Sequence, residues 1–310
     1  MDIAPDRPSD ESSPTAMGEA RVSEAPIQLP IIEPSLMAQV LDRNNLARAL
    51  KQVKRNKGAA GVDGMTTEQL STYLHAHWPD LKERLIDGRY RPQAVRRVEI
   101  PKADGKMRKL GIPTVIDRFI QQAIAQIISD LWEPTFHPNS YGFRPQRNAQ
   151  QAVRHAQDTI VHGKSWVIDL DLQAFFDTVN HDRLMARLKT RIQDRTLLKL
   201  VRRYLTSPIQ KDDGQALANR EGVLQGGPLS PVLANIVLDE LDWELERRGH
   251  RFSQYADDCQ IFVGSRRAAE RIKISVQRYI EDHLRLKVNE DKSAVDRPWK
   301  RSFLGFTVSS

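Results

Sequence analysis

At 310 residues, the chain has room for one large domain or two modest ones, and its single cysteine, Cys259, excludes an internal disulfide or a cysteine-based zinc cluster. No apolar run reaches bilayer-spanning length, and the N-terminus lacks the basic-then-apolar order of a secretory signal; the composition reads as a soluble, cytoplasmic protein with no membrane partner. The formal net charge of +7 favours polyanionic partners through counterion release, with a solubilising surface as the plain alternative.

The charge is unevenly spread. Residues 1–35 hold seven acidic and two basic residues, a net of −5, which leaves +12 on the remainder. Rich in Pro, Ser, Glu and Asp, this stretch reads as a disordered acidic tail. Order is expected from Leu36, where Leu36, Val40, Leu41 and Leu46 begin a helical pattern. Residues 58–64 form a glycine-rich loop, but no Gly-Lys-Ser/Thr follows to make it a phosphate-binding P-loop. Residues 96–101 and 109–113 read as strands of a basic hairpin around an Asp104-Gly105 turn. Phe119, Ile120, Ile124, Ile127, Ile128 and Leu131 mark an amphipathic helix over 117–131.

Residues 166–172 read as an apolar strand carrying Asp169 and Asp171, whose spacing of two puts both on one face. Asn180-His181-Asp182 reads as a helix cap rather than a catalytic dyad, and His75 and His77 as surface or packing residues. Pro228 can start a helix running to Glu246, in which Trp243 is read as core beside Leu241 and Leu245. A hairpin follows with Tyr255-Ala256-Asp257-Asp258 at its tip, then a helix over 266–284 and a strand over 303–308. Helices and strands in this order predict an α+β fold rather than alternating βα units.

Adjacent carboxylates such as Asp257 and Asp258 repel one another unless a positive charge sits between them. A carboxylate on an apolar strand is equally costly, so Asp171 points to a metal site. Two chain segments bearing aspartates are what a pair of divalent cations needs for moving phosphates.

Three motifs then coincide in order. Asp171-Leu172-Gln173-Ala174-Phe175-Phe176-Asp177 resembles the first palm motif of reverse transcriptases. Residues 223–231 resemble their Gln-Gly-x-x-x-Ser-Pro motif, and residues 255–258 their Tyr-x-Asp-Asp tetrad. The nearer resemblance is to bacterial group II intron-encoded reverse transcriptases, or maturases. Residues 57–64 are similar to their N-terminal extension motif, and 117–123 and 140–145 to finger motifs. Residues 286–293 and 303–306 complete the series, so the resemblance covers about 36–310.

The resemblance implies a right-hand polymerase fold: N-terminal extension and fingers over 36–165, then a palm over 166–310 whose antiparallel sheet is backed by helices. It implies an RNA-directed DNA polymerase using two Mg²⁺ ions, with Mn²⁺ as a substitute. Its partners would be an RNA template (group II intron RNA), a DNA or RNA primer and deoxynucleoside triphosphates. Asp171, Asp257 and Asp258 would hold the metals, helped by the carbonyl of Leu172. Phe176 would be the steric gate against a ribose 2′-hydroxyl, with a core aromatic as the alternative. Lys102 and Arg108, on opposite arms of the basic hairpin, would grip the triphosphate, although each alone reads as a solvated cation. Gln225 would line the nucleotide pocket. Lys292 would protonate departing pyrophosphate, with Lys287 as competitor. Phe303, Leu304, Gly305 and Phe306 would form the primer grip, or else a plain core strand. Family members continue into a thumb that is expected to be missing here. Competing readings are a splicing maturase with a dispensable polymerase site, and a CRISPR-associated or stand-alone repair reverse transcriptase.

Overall fold

Residues 35–101, 105, 107–211 and 213–307 are described by the computed structural model of the chain. The acidic segment up to residue 34, Lys102 and Asp104 lie outside them. Three helices open the fold: α1 (Leu36–Val40), α2 (Arg43–Asn56) and α3 (Leu70–Ile86). The basic hairpin follows as β1 (Val95–Pro101) and β2 (Met107–Ile112), antiparallel with Ile100 opposite Arg108. Helix α4 (Val115–Trp132) starts where Thr114 accepts a hydrogen bond from the Asp117 amide, a standard N-cap. Its buried Asp117 accepts from Tyr90 Oη at 2.7 Å and Thr114 Oγ1 at 2.8 Å. Burial holds this carboxyl above its ordinary value, and those donors offset the rise only in part.

Helix α5 (Ala149–Val161) is set by a reciprocal capping box between Asn148 and Gln151. Next come β3 (Trp166–Leu170), the single turn α6 (Phe175–Thr178), α7 (His181–Lys189) and α8 (Arg195–Leu205). Asn180 caps α7 through the Arg183 amide, as the sequence predicts. Short strands β4 (Ile209–Gln210) and β5 (Ala216–Leu217) join β1 and β2 in a sheet ordered β2-β1-β4-β5. Helix α9 (Ser230–Arg247) starts two residues later than Pro228, because Pro231 takes the first turn, where a missing N–H costs nothing.

The second sheet positions the chemistry. Strands β6 (Arg251–Tyr255) and β7 (Asp258–Val263) form the acidic hairpin, β7 pairs antiparallel with β3, and β3 with β8 (Ala294–Asp296). Alternation along these strands divides the core. Val167 and Phe262 pack with Ala152, Ala156 and Ile160 of α5 on one face. Ile168, Leu170, Phe252 and Ile261 pack on the other, with α9 and with Ala269 and Val276 of α10 (Arg266–Tyr279).

Several expectations are corrected. The strand over 166–172 stops at Leu170; Leu172 instead forms an isolated bridge with Val288. The helix over 266–284 is regular only to Tyr279 and closes as a wider turn over Ile280–Leu284, with Arg285 left-handed. The strand over 303–308 is a tight hairpin, β9 (Ser302–Phe303) and β10 (Phe306–Thr307), because Leu304 and Gly305 both take positive φ (53° and 83°). Trp243 is not core: it is 46% exposed, and its indole N–H donates to the Thr135 carbonyl at 3.1 Å. Among the described residues no helix is long and apolar enough to cross a membrane.

Candidate active site

The acidic tip is a two-residue turn between paired Tyr255 and Asp258, with Ala256 held at φ 54°. A left-handed alanine is strained, and the surrounding structure fixes it. Gly142 lies so close beneath that an added Cβ would collide with the Ala256 amide nitrogen. The Tyr141 amide donates to the Gln254 carbonyl at 2.9 Å, and Gln254 Nε2 donates to the Ala256 carbonyl at 3.0 Å. The finger-like motif over 140–145 is thus the buttress of the acidic turn.

Asp171 sits just past β3, one strand away. Its amide donates to Ser293 Oγ at 3.0 Å, and its carbonyl accepts from the Asn289 amide at 2.8 Å. Its Oδ2 accepts from Asn289 Nδ2 at 2.8 Å and stands 3.9 Å from Lys292 Nζ. The 286–293 loop is therefore brought to Asp171 by backbone pairing, with the Gln173 amide donating to the Lys287 carbonyl at 2.8 Å. That bridge uses the Asp171 carbonyl and the Gln173 amide, and not the Leu172 carbonyl. Lys287 contributes its backbone to this bridge, whereas Lys292 brings its ammonium toward the carboxylate.

Asp169, Asp171, Asp258, Lys292, Phe303 and Leu304 line one open cleft of about 370 Å³. Within it the Asp258 carboxyl is pushed up to about 6, first by protein crowding out water, then by Asp257, Asp171 and Asp169, with Lys292 opposing. Its outer edge stays exposed to the cleft, so solvent screens the repulsion and the shift is no measure of stability. Among the described residues no three His, Cys, Asp or Glu side chains close on one point, so the expected metal triad is not drawn together. Asn289 and Lys292 hold Asp171 toward the loop instead. The donor chemistry nevertheless fits a divalent cation: mutually repelling carboxylates offer hard oxygen ligands, and one of them is raised by its neighbours.

Sequence reasoning missed Arg301. It donates from Nε (2.9 Å) and Nη2 (2.7 Å) to Asp169 Oδ2, and from Nη2 to the Lys292 carbonyl at 2.7 Å. The compensation sought for a carboxylate on this strand is, for Asp169, an arginine. Its only signal in sequence was a cation just before the Phe303 hairpin.

A second concavity of about 490 Å³ brings Arg108, Phe176 and Gln225 together, with Gly226, Gly227 and Phe143. Arg108 Nε donates to Gln225 Oε1 at 2.6 Å, and the Gly111 amide donates to the Gln225 carbonyl at 2.7 Å. Gly226, at φ 122°, lies against the Gly111 carbonyl, where any Cβ would collide. The Val223 amide donates to the Phe176 carbonyl at 2.6 Å, which ties α6 to this motif. Phe176 is mostly buried, yet it forms part of the pocket wall. Gly58 of the 58–64 loop forms part of the wall, and the loop is held by Arg118 Nη2 on the Ala59 carbonyl (2.7 Å) and Arg96 Nη2 on the Ala60 carbonyl (2.8 Å). Lys102 lies outside the described residues. At the hairpin of β9 and β10, Phe303 is buried against Tyr141 and Val167, while Phe306 is exposed.

Residues 100–308 match the reverse transcriptase (RNA-dependent DNA polymerase) family. The chain is a reverse transcriptase family member. It is 33% identical to protein YkfC of Escherichia coli (strain K12) over 308 aligned residues, covering 85% of this chain and 81% of YkfC. It is 35% identical to the group II intron-encoded protein LtrA of Lactococcus lactis subsp. cremoris, covering 63% of this chain but 32% of LtrA. The retron Mx65 reverse transcriptase of Myxococcus xanthus is 28% identical over 64% of this chain and 47% of its own length. A telomerase structure from Candida tropicalis shares the fold, with TM-score 0.52 at 14% identity over 75% of this chain and 47% of that chain. The reverse transcriptase domain is an RNA-directed DNA polymerase, which works on an RNA template, a primer and deoxynucleoside triphosphates. Enzymes of this family use divalent metal ions.

Proposed function

We propose that this reverse transcriptase is of the group II intron type and extends a primer 3′ end from the fingers-and-palm body at 36–310, divided near residue 165. The same protein would also assist intron RNA splicing and mobility. The observation that carries this reading is the presence of two clefts, one lined by Asp171 and Asp258 and the other by Arg108, Phe176 and Gln225. The 35% identity to a group II intron-encoded protein supports the intron context.

Asp171, Asp257 and Asp258, with the Leu172 carbonyl, would hold two Mg²⁺ ions, and Mn²⁺ could replace them. Bound there, the ions supply Lewis acidity at the attacking hydroxyl and the leaving phosphate. The rest is the work of side chains. Arg108, with Lys102, grips the triphosphate, its fork of donors matching phosphate oxygens. The Gln225 amide, oriented by Arg108, hydrogen-bonds the nucleotide. The Phe176 ring takes the volume a 2′-hydroxyl would need. Lys292, already facing Asp171, donates a proton to departing pyrophosphate. The turn of Phe303, Leu304, Gly305 and Phe306 steadies the primer end beside the carboxylates.

Primer extension on RNA and DNA templates with deoxy- and ribonucleotides tests the reading. Mg²⁺-dependent incorporation of deoxynucleotides on RNA is expected, with Asp257→Ala inactive. Robust extension by that variant would refute the metal assignment. One observation favours a second reading, a reverse transcriptase working outside introns: the similarity extends to a retron reverse transcriptase. Acceleration of intron splicing by purified protein, retained in Asp257→Ala, separates the two.

A further inference from the structure

Phe143 has a feature that packing does not explain. The residue is 51% exposed, although its neighbours Gly142 and Arg144 are buried. Its backbone sits at φ 56°, a region that bulky L-residues rarely adopt. Such strain persists only where the surroundings over-determine it.

Both flanks do so here. Gly142 is pinned beneath the Ala256 amide, and its carbonyl accepts from Asn235 Nδ2 of α9 at 2.8 Å. Arg144 is tied by Nη1 to the His137 (2.7 Å) and Ser140 (2.8 Å) carbonyls, and by Nη2 to Glu133 Oε1 at 2.8 Å. With both flanks anchored, the Phe143 ring projects into the pocket of about 490 Å³ that Arg108, Phe176 and Gln225 line. It stands 6.3 Å from the Tyr255 ring, at the edge of the acidic turn. An apolar ring held toward solvent costs free energy, and a glycine would adopt this φ without strain. The ring itself is therefore what the position supplies.

We propose that Phe143 binds the incoming deoxynucleotide, its ring packing against the base and sugar while Arg108 holds the triphosphate. An aromatic face suits every base alike, which is what a template-directed polymerase requires of a contact outside the base-pairing edge. The proposal rests on the pocket being the nucleotide site, so its test has to separate the two.

The experiment uses the full chain on an RNA template with a 3′-dideoxy-terminated primer in Mg²⁺, and measures affinity for the next correct deoxynucleotide without turnover. Phe143→Ala is expected to weaken nucleotide binding about tenfold and leave primer–template affinity unchanged. Phe143→Trp should stay within about threefold of the parent, since an aromatic face remains. Phe143→Gly, which relieves the left-handed backbone, should be as weak as Phe143→Ala. Parent-like nucleotide affinity in Phe143→Ala or Phe143→Gly would overturn the proposal, as would an equal loss of primer–template affinity. Arg108→Ala makes the separation: if it weakens nucleotide binding while Phe143→Ala does not, the pocket stands and the ring's role is refuted. If both bind like the parent, the pocket assignment fails and this inference falls with it.

Discussion

Replacing Arg301 with glutamine tests the connection between the carboxylate strand and the Phe303 hairpin. Arg301 and Asp169 side chains keep 28% and 23% of their surface, so the pair is mostly shielded from water. Arg301→Gln removes two charge-assisted bonds and leaves Asp169 with Gln260 Nε2 at 3.4 Å, a weak contact. Hydrogen bonds to a charged partner contribute about 1.5–3 kcal/mol, so the loss should be about 2 kcal/mol. For a domain of this size that lowers Tm by about 3–4 °C. Asp169→Asn combined with Arg301→Gln leaves no uncompensated charge and should recover part of the loss. Urea unfolding of both single variants and the double variant gives the coupling, expected at about 1–2 kcal/mol. Arg301 also holds the Lys292 carbonyl and immediately precedes β9, so Arg301→Gln should raise KM for primer. Additive effects of the two substitutions, within about 0.5 kcal/mol, would show that the pair does not couple and refute this reasoning.

Three further outcomes are expected. Phe176→Ala should admit ribonucleotides, raising their incorporation relative to deoxynucleotides at least tenfold in single-nucleotide extension, the order of effect for one excluded group in a packed pocket. Asp258 carries a raised value of about 6, and a protonated carboxyl is a poor ligand, so extension at limiting Mg²⁺ should fall as pH drops through 6. Saturating Mg²⁺ should move that limb to lower pH, and a limb insensitive to metal concentration would contradict the assignment. Gly142→Ala should destabilise the fold by about 1–3 kcal/mol, read in urea, because its Cβ meets backbone rather than a flexible side chain. It should also cost extension activity, since that backbone is the acidic turn.

What sequence made legible was whatever depends on local order. The Asp257-Asp258 turn, the Asn180 cap and the 95–112 hairpin are set by residues near one another in the chain. The same holds for Asp171 and Phe176, which share one short segment. Their partners were harder to see. Arg301 meets Asp169 across 132 residues, and Asn289 meets Asp171 across 118, so no spacing rule connects them. The misread strand over 303–308 failed for a different reason. Its apolar pattern is that of a strand, but Leu304 takes a left-handed conformation that sequence alone gives leucine little reason to adopt. Trp243 was misjudged because helical periodicity says which residues share a face, and not where that face ends.

The same distinction explains why Phe143 went unread inside a motif that was recognised. In the sequence it is one residue of a finger-like string, indistinguishable from a core aromatic. Only its surroundings separate it from Phe175 and Phe252, which are buried to about the same degree as any core ring. Gly142 is fastened by the acidic turn and α9, and Arg144 by Glu133 and two carbonyls, so the strain at φ 56° is imposed from both sides. A position under such constraint would be easiest for glycine. That it holds an exposed aromatic instead, facing Arg108 and Gln225 across a pocket, is an argument for contact with a ligand rather than for folding.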